Sequence, residues 1–200
     1  HTSGLSYSIL DQHPVDEIYR RAGLATMERG GTLADRISRL AVLPLRHHPG
    51  TRWSYSMATD VLGRVVEVLD GRPFADCLAD RILEPLGMDD TSFLVPDERV
   101  GRLSSCYGFA PGSEPALLDA GPTSAYLEPS WQSGGGGLVS TTGDYHRFCS
   151  ALLCGGELDG ARILGPRTVR SMMSNHLPGG AHLDQVGDPL YTPDFFAGCG

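Results

Sequence analysis

Pro49-Gly50-Thr51-Arg52-Trp53-Ser54-Tyr55-Ser56-Met57-Ala58-Thr59-Asp60-Val61-Leu62-Gly63 joins a Pro-Gly turn, two aromatics and the start of an apolar helical pattern. Pro-Gly forces a turn, so the chain enters the helix through a short irregular segment that carries Tyr55. A tyrosine in that position is held firmly while its hydroxyl stays accessible. By itself this describes a core-edge aromatic far more often than a catalyst. The neighbouring sequence decides between the two.

Downstream, Val61, Leu62, Val65, Val66 and Leu69 recur at helical spacing and predict one apolar face, stopped at Asp70-Gly71. Pro73 opens a further helix carrying Phe74, Cys77, Leu78 and Ile82 to Glu84-Pro85. Upstream, Pro14 to Leu24 reads as a helix with Asp16-Glu17 at its start and Arg20-Arg21 near its end. Thr32 caps a second helix with Leu33, Ile37, Leu40 and Ala41 on one stripe, and Pro44 ends it. Residues 95–130 are rich in Pro, Gly and Ser, which predicts loops with a short strand near Cys106 to Ala110. Gly134 to Gly137 lead through an extended stretch into a capped helix with Tyr145, Phe148, Cys149, Leu152 and Leu153 on its apolar face. Gly155-Gly156 ends that helix, Ala161 to Leu164 reads as a strand, and Pro166 opens a last helix through Met173. Helices dominate and the strands are short, so the class is α+β.

The net charge of −8 with no basic run argues against a nucleic-acid or anionic-membrane surface. No apolar run approaches a membrane span. The five cysteines form no Cys-x-x-Cys pair, and several fall at apolar helical positions. They read as buried free thiols, which suits a reducing, cytoplasm-like compartment. The chain opens at His1 without methionine and stops inside a Gly-rich turn, so both ends read as internal to a longer chain.

Several standard sites are absent. There is no Gly-x-Ser-x-Gly elbow and no His-Glu-x-x-His, and His47-His48 are adjacent rather than one helical turn apart. No metal or organic cofactor is implied. The Gly134–Gly137 run lacks the Gly-Lys-Ser/Thr of a nucleotide loop. It is either a flexible turn or a bare backbone beside a pocket, where side chains would block a ligand.

Five blocks together resemble one family. They are His1-Thr2-Ser3-Gly4-Leu5, then Pro49 to Ser56, then Pro85-Leu86-Gly87-Met88-Asp89-Asp90-Thr91-Ser92-Phe93. Gly135 to Asp144 and Gly155-Gly156-Glu157-Leu158-Asp159-Gly160 complete the set. Their order and gaps are similar to those of the serine β-lactamase-related proteins: class C β-lactamases, family VIII carboxylesterases, D-aminopeptidases and related acyltransferases. The resemblance implies a β-lactamase/transpeptidase-like fold, with this chain covering mainly the helical domain and the start of the return to the antiparallel sheet. It implies a Ser-x-x-Lys serine that is acylated by an ester or amide, a tyrosine acting with the lysine as general base, and backbone N–H groups holding the oxyanion.

Tyr55 matches the family's tyrosine. A phenol, with its ordinary pKa near 10, becomes a base at neutral pH only beside a cation. β-Lactamases carry Tyr-x-Asn, but here the third residue is Met57, which offers no amide to a lactam carbonyl. That moves the expectation toward esterase-like members acting on small carboxylic esters. A β-lactamase, a D-Ala or D-amino peptidase, and a non-catalytic ligand-binding relative are the alternatives. Trp131, Gly135 and Gly136 are candidate substrate-binding residues, Trp131 being otherwise a structural aromatic.

All sixteen basic residues are arginine, so no Ser-x-x-Lys can lie within these 200 residues. The resemblance places that motif upstream of His1, and the third motif (Lys/His-x-Gly or Trp-Gly-Gly) beyond Gly200. The 200 residues are thus expected to form a partial domain holding one of three catalytic elements, and to be inactive alone.

Overall fold

A computed structural model describes residues 1–8, 13–24, 30–108, 114–127 and 131–182. Its architecture is α+β, with helices in the majority and two small antiparallel hairpins. The helices are α1 (Pro14–Arg21), α2 (Leu33–Leu40), α3 (Ala58–Asp70), α4 (Phe74–Leu78), α5 (Thr142–Leu153) and α6 (Pro166–Met172). α4 continues as one wider turn over Ala79–Leu83. Strands β1 (Cys106–Gly108) and β2 (Ala116–Asp119) pair, as do β3 (Glu157–Leu158) and β4 (Ala161–Arg162).

Local chemistry sets most boundaries. Thr32 and Asp35 form a reciprocal capping box at α2, and Gly71 closes α3 in the left-handed conformation that a Cβ disfavours. At α5 the Thr141 hydroxyl oxygen accepts the Asp144 N–H at 3.1 Å. Thr141→Ala should therefore cost about 1 kcal/mol in urea unfolding, and Thr141→Ser should recover most of it.

Departures from the sequence expectation have physical reasons. α1 stops at Arg21 rather than Leu24, because the chain turns to bury Leu24 completely. The β1 strand gains a partner, β2, inside the stretch expected to be loop; its Leu117 and Leu118 are exposed, so no alternating burial marks it. β3 and β4 form a hairpin around Asp159-Gly160, both at positive φ, the combination a two-residue turn requires. Of the cysteines, Cys77 is buried, Cys149 is half-buried, and Cys106 and Cys154 are exposed, so the expectation of buried thiols fails for the last two. Phe109, Ala110, Gly198 and Cys199 lie outside the described residues.

The sequence blocks are neighbours in space. Residues 1–6 run beside 46–57: Ser54 N–H donates to the His1 carbonyl (2.9 Å), Gly50 N–H to Thr2 (2.7 Å) and Arg46 N–H to Gly4 (2.8 Å). Gly4 has φ +81°, and a Cβ there would lie 2.2 Å from the His47 carbonyl oxygen. Ser92 and Val139 exchange both backbone hydrogen bonds, tying the Pro85–Phe93 block to the Gly135–Asp144 block. Buried Asp144 reinforces that tie by accepting from Thr91 Oγ1 and Asp90 N–H. One core gathers Tyr7, Val15, Tyr19, Leu24, Leu40 and Met57; a second gathers Leu86, Met88 and Ala151.

Candidate active site

Tyr55 sits on the extended segment that feeds α3, half-buried at the edge of the first core. Its ring stacks on Tyr7, with centroids 5.3 Å apart and planes 16° from parallel. The His1 ring lies 4.9 Å away on a tilted approach and meets Trp53 edge-on at 5.4 Å. Ser56 N–H donates to His1 Nδ1 at 3.2 Å. An Nδ1 that accepts leaves the ring proton on Nε2, so this bond selects the tautomer and orients the imidazole beside Tyr55.

Tyr7 is the neighbour sequence reasoning did not single out. Burial pushes its phenol well above the usual range, and the negative charge of Asp60 adds to the effect. Tyr7 therefore stays neutral and serves Tyr55 as a packing surface. Met57 is fully buried in the core with Tyr7, Tyr19 and Leu24, so its thioether is spent on packing.

The glycine run closes on the first turn of α3. Buried Asp60 accepts at Oδ1 from the Ser133 hydroxyl and from Gly135 N–H (3.2 Å). Its Oδ2 is also buried and has no hydrogen-bond partner among the described residues. A Cβ on Gly134 would stand 2.1 Å from the Thr59 carbonyl oxygen, so the two backbones meet only because residue 134 has no side chain. Gly136 is exposed, and nothing lies within 4 Å of where its Cβ would be. Gly135 is thus held against the first turn of α3, while Gly136 presents bare backbone to open space.

Trp131 is placed differently. Its ring lies under the fully buried Arg36, whose guanidinium carbon is 4.1 Å from the ring centroid. It borders an open cavity of about 740 Å³ between the start of α2 and the second half of α3, with Thr32, Arg64, Val68 and Arg72 on its walls; Tyr55 is not among the lining residues. Asp60 and Ser133 were missed from the sequence. The available signal was an acid in the first turn of a helix whose next residues are apolar, a position that must find donors if buried.

Among the described residues no cluster of three His, Cys, Asp or Glu side chains could hold a metal ion, and no helix is long and apolar enough to cross a membrane.

Residues 1–198 match the family model described as Beta-lactamase. The chain belongs to the β-lactamase family. Within this family setting it is 37% identical over 177 residues to an uncharacterized protein of Mycobacterium tuberculosis, covering 88% of this chain and 43% of that one. It is 30% identical over 167 residues to esterase EstB of Burkholderia gladioli, covering 76% of this chain and 42% of the esterase. Among solved structures it is similar to EstCE1, described as a hydrolase with promiscuous acyltransferase activity, at 28% identity and a TM-score of 0.67. That likeness covers 84% of this chain and 47% of EstCE1. The β-lactamase-family chain therefore spans a little under half the length of the relatives it matches.

Proposed function

We propose that these residues are the middle of a longer serine hydrolase that cleaves small carboxylic esters through an acyl-enzyme. The observation that carries the reading is membership of the β-lactamase family over residues 1–198, with a named esterase among the relatives. In this reading a Ser-x-x-Lys outside the 200 residues supplies the nucleophile and the cation. Tyr55, acting with that lysine as general base, takes the serine proton while the serine oxygen bonds to the ester carbonyl carbon. The carbon–alkoxy bond then breaks, the alcohol leaves with that proton, and water releases the acid by the same steps. The bare backbone at Gly135 and Gly136 is offered to the substrate, and Trp131 acts on it at most through the neighbouring cavity.

Met57 supports the ester reading over the lactam one, because its buried side chain provides no amide donor where a lactam carbonyl would need one. The full-length protein should hydrolyse p-nitrophenyl butyrate with a kcat/KM about tenfold or more above that for nitrocefin, as expected for one missing substrate hydrogen bond. Equal or faster nitrocefin turnover would reassign it to β-lactam hydrolysis. Binding of either compound without turnover of any would point to the ligand-binding relative.

A further inference from the structure

Residues 52–56 belong to no helix or strand, so no regular backbone pattern fixes the segment that carries Tyr55. His1 does. Its carbonyl accepts from Ser54 N–H at 2.9 Å, and its Nδ1 accepts from Ser56 N–H at 3.2 Å, with Ser56 Oγ 3.3 Å from the same nitrogen. Its ring meets Trp53 edge-on and lies 4.9 Å from the Tyr55 ring. One residue therefore touches each position from 53 to 56, although Ser56 is 55 positions away in sequence. Ser54 and Ser56 are both buried. A buried N–H that loses its acceptor must find another, and on an irregular segment it does so by moving the backbone. Tyr55 lies between the two serines, so such a movement carries its hydroxyl along.

We propose that His1 is a positioning residue for Tyr55, holding the 53–56 segment through Nδ1 so that the phenol oxygen stands where the serine proton is taken up. The proposal rests on the reading of Tyr55 as general base. Two features favour the ring nitrogen over mere bulk. The donor that Nδ1 receives is a backbone N–H, which no side-chain rotation can redirect, and it belongs to the residue next to Tyr55. The contact of Tyr55 with Tyr7 is a stack, which resists tilting but lets the ring slide in its own plane, whereas a hydrogen bond fixes direction. Displacing a reacting group by about an ångström costs about a hundredfold in rate. A base that is present but misplaced lowers kcat without weakening substrate binding.

The test compares three variants of the full-length protein on p-nitrophenyl butyrate. His1→Asn keeps an acceptor at the place of Nδ1, because its Oδ1 is bonded to the same Cγ. His1→Gln carries the same amide one bond further out, and His1→Phe keeps the ring but loses the acceptor. The Phe and Gln variants should lose about a hundredfold in kcat with KM within about twofold of wild type, and Asn should stay within about fivefold in kcat. In a Tyr55→Phe background His1→Phe should cost less than about threefold more, because a positioning residue acts only through the group it positions. Equal losses in Asn and Gln, an unchanged kcat in Phe or Gln, a raised KM in place of a lowered kcat, or the same loss with and without Tyr55 overturns the proposal. The Asn and Gln pair decides the matter if the Phe variant does not fold. Full activity in Tyr55→Phe alone defeats the general-base reading and the proposal with it. An inactive Tyr55→Phe beside an unaffected His1→Phe defeats the proposal alone. Turnover of nitrocefin and not of the ester defeats the ester reading, and the same variants scored on nitrocefin still decide the role of His1.

Discussion

Tyr55→Phe in the full-length protein is expected to lower kcat/KM for p-nitrophenyl butyrate about a thousandfold, within the range of a lost general base. The substitution removes one oxygen and leaves the ring. The ring carries the packing: it stacks on Tyr7 at 5.3 Å, approaches His1 at 4.9 Å and sits against the first core. Phenylalanine fills the same space, so unfolding in urea should move by only about 1 kcal/mol, the worth of one hydroxyl interaction. Full activity in the Phe variant would remove Tyr55 from the mechanism. A large loss of stability would show instead that the hydroxyl serves the fold.

Gly134→Ala and Gly136→Ala, two residues apart in the same run, should behave oppositely. The alanine Cβ at 134 would be placed 2.1 Å from the Thr59 carbonyl oxygen. No rotamer relieves that overlap, because both partners are backbone or rigidly attached to it. The first turn of α3 or the glycine run must move by about an ångström, which breaks the Gly135 N–H bond to Asp60. Overpacking together with that lost bond should cost about 2–4 kcal/mol. At 136 no atom lies within 4 Å of the new Cβ, so stability should stay within about 0.5 kcal/mol of wild type. Activity then separates the roles. If Gly136 faces substrate, its alanine variant folds normally and turns over ester more slowly. Chemical denaturation and p-nitrophenyl butyrate hydrolysis on the two variants measure both quantities. A stable Gly134→Ala would contradict the close backbone approach.

Much of the fold was legible because its signals are local. Thr32, Thr141 and Gly71 each act within one helical turn, and their capping roles follow from side-chain chemistry and backbone freedom alone. The Asp159-Gly160 turn is equally local, yet the two residues of strand β3 give no period to read. Tyr55 stands out as a candidate through the blocks around it. Its setting was not legible: Tyr7 lies 48 positions earlier, and Ser133 and Gly135 meet Asp60 across more than 70 residues. Trp131, a candidate from the sequence, packs under Arg36 and lines a cavity whose walls do not include Tyr55.

The clearest division runs through α3. Periodicity in the sequence establishes the helix and its Leu62–Leu69 stripe, because 3.6 residues per turn is a property of the backbone. Composition alone establishes that no lysine is present, and therefore that Tyr55 has no Ser-x-x-Lys partner within these 200 residues. Which side of the helix is covered was a tertiary matter. A glycine and an acid, Gly63 and Asp60, form the inner side, because only a missing side chain lets the glycine run close on α3 and only a carboxylate receives its N–H and hydroxyl donors. Hydrophobicity would bury the Leu62–Leu69 stripe ahead of either residue. Close backbone approach and hydrogen-bond demand place them first.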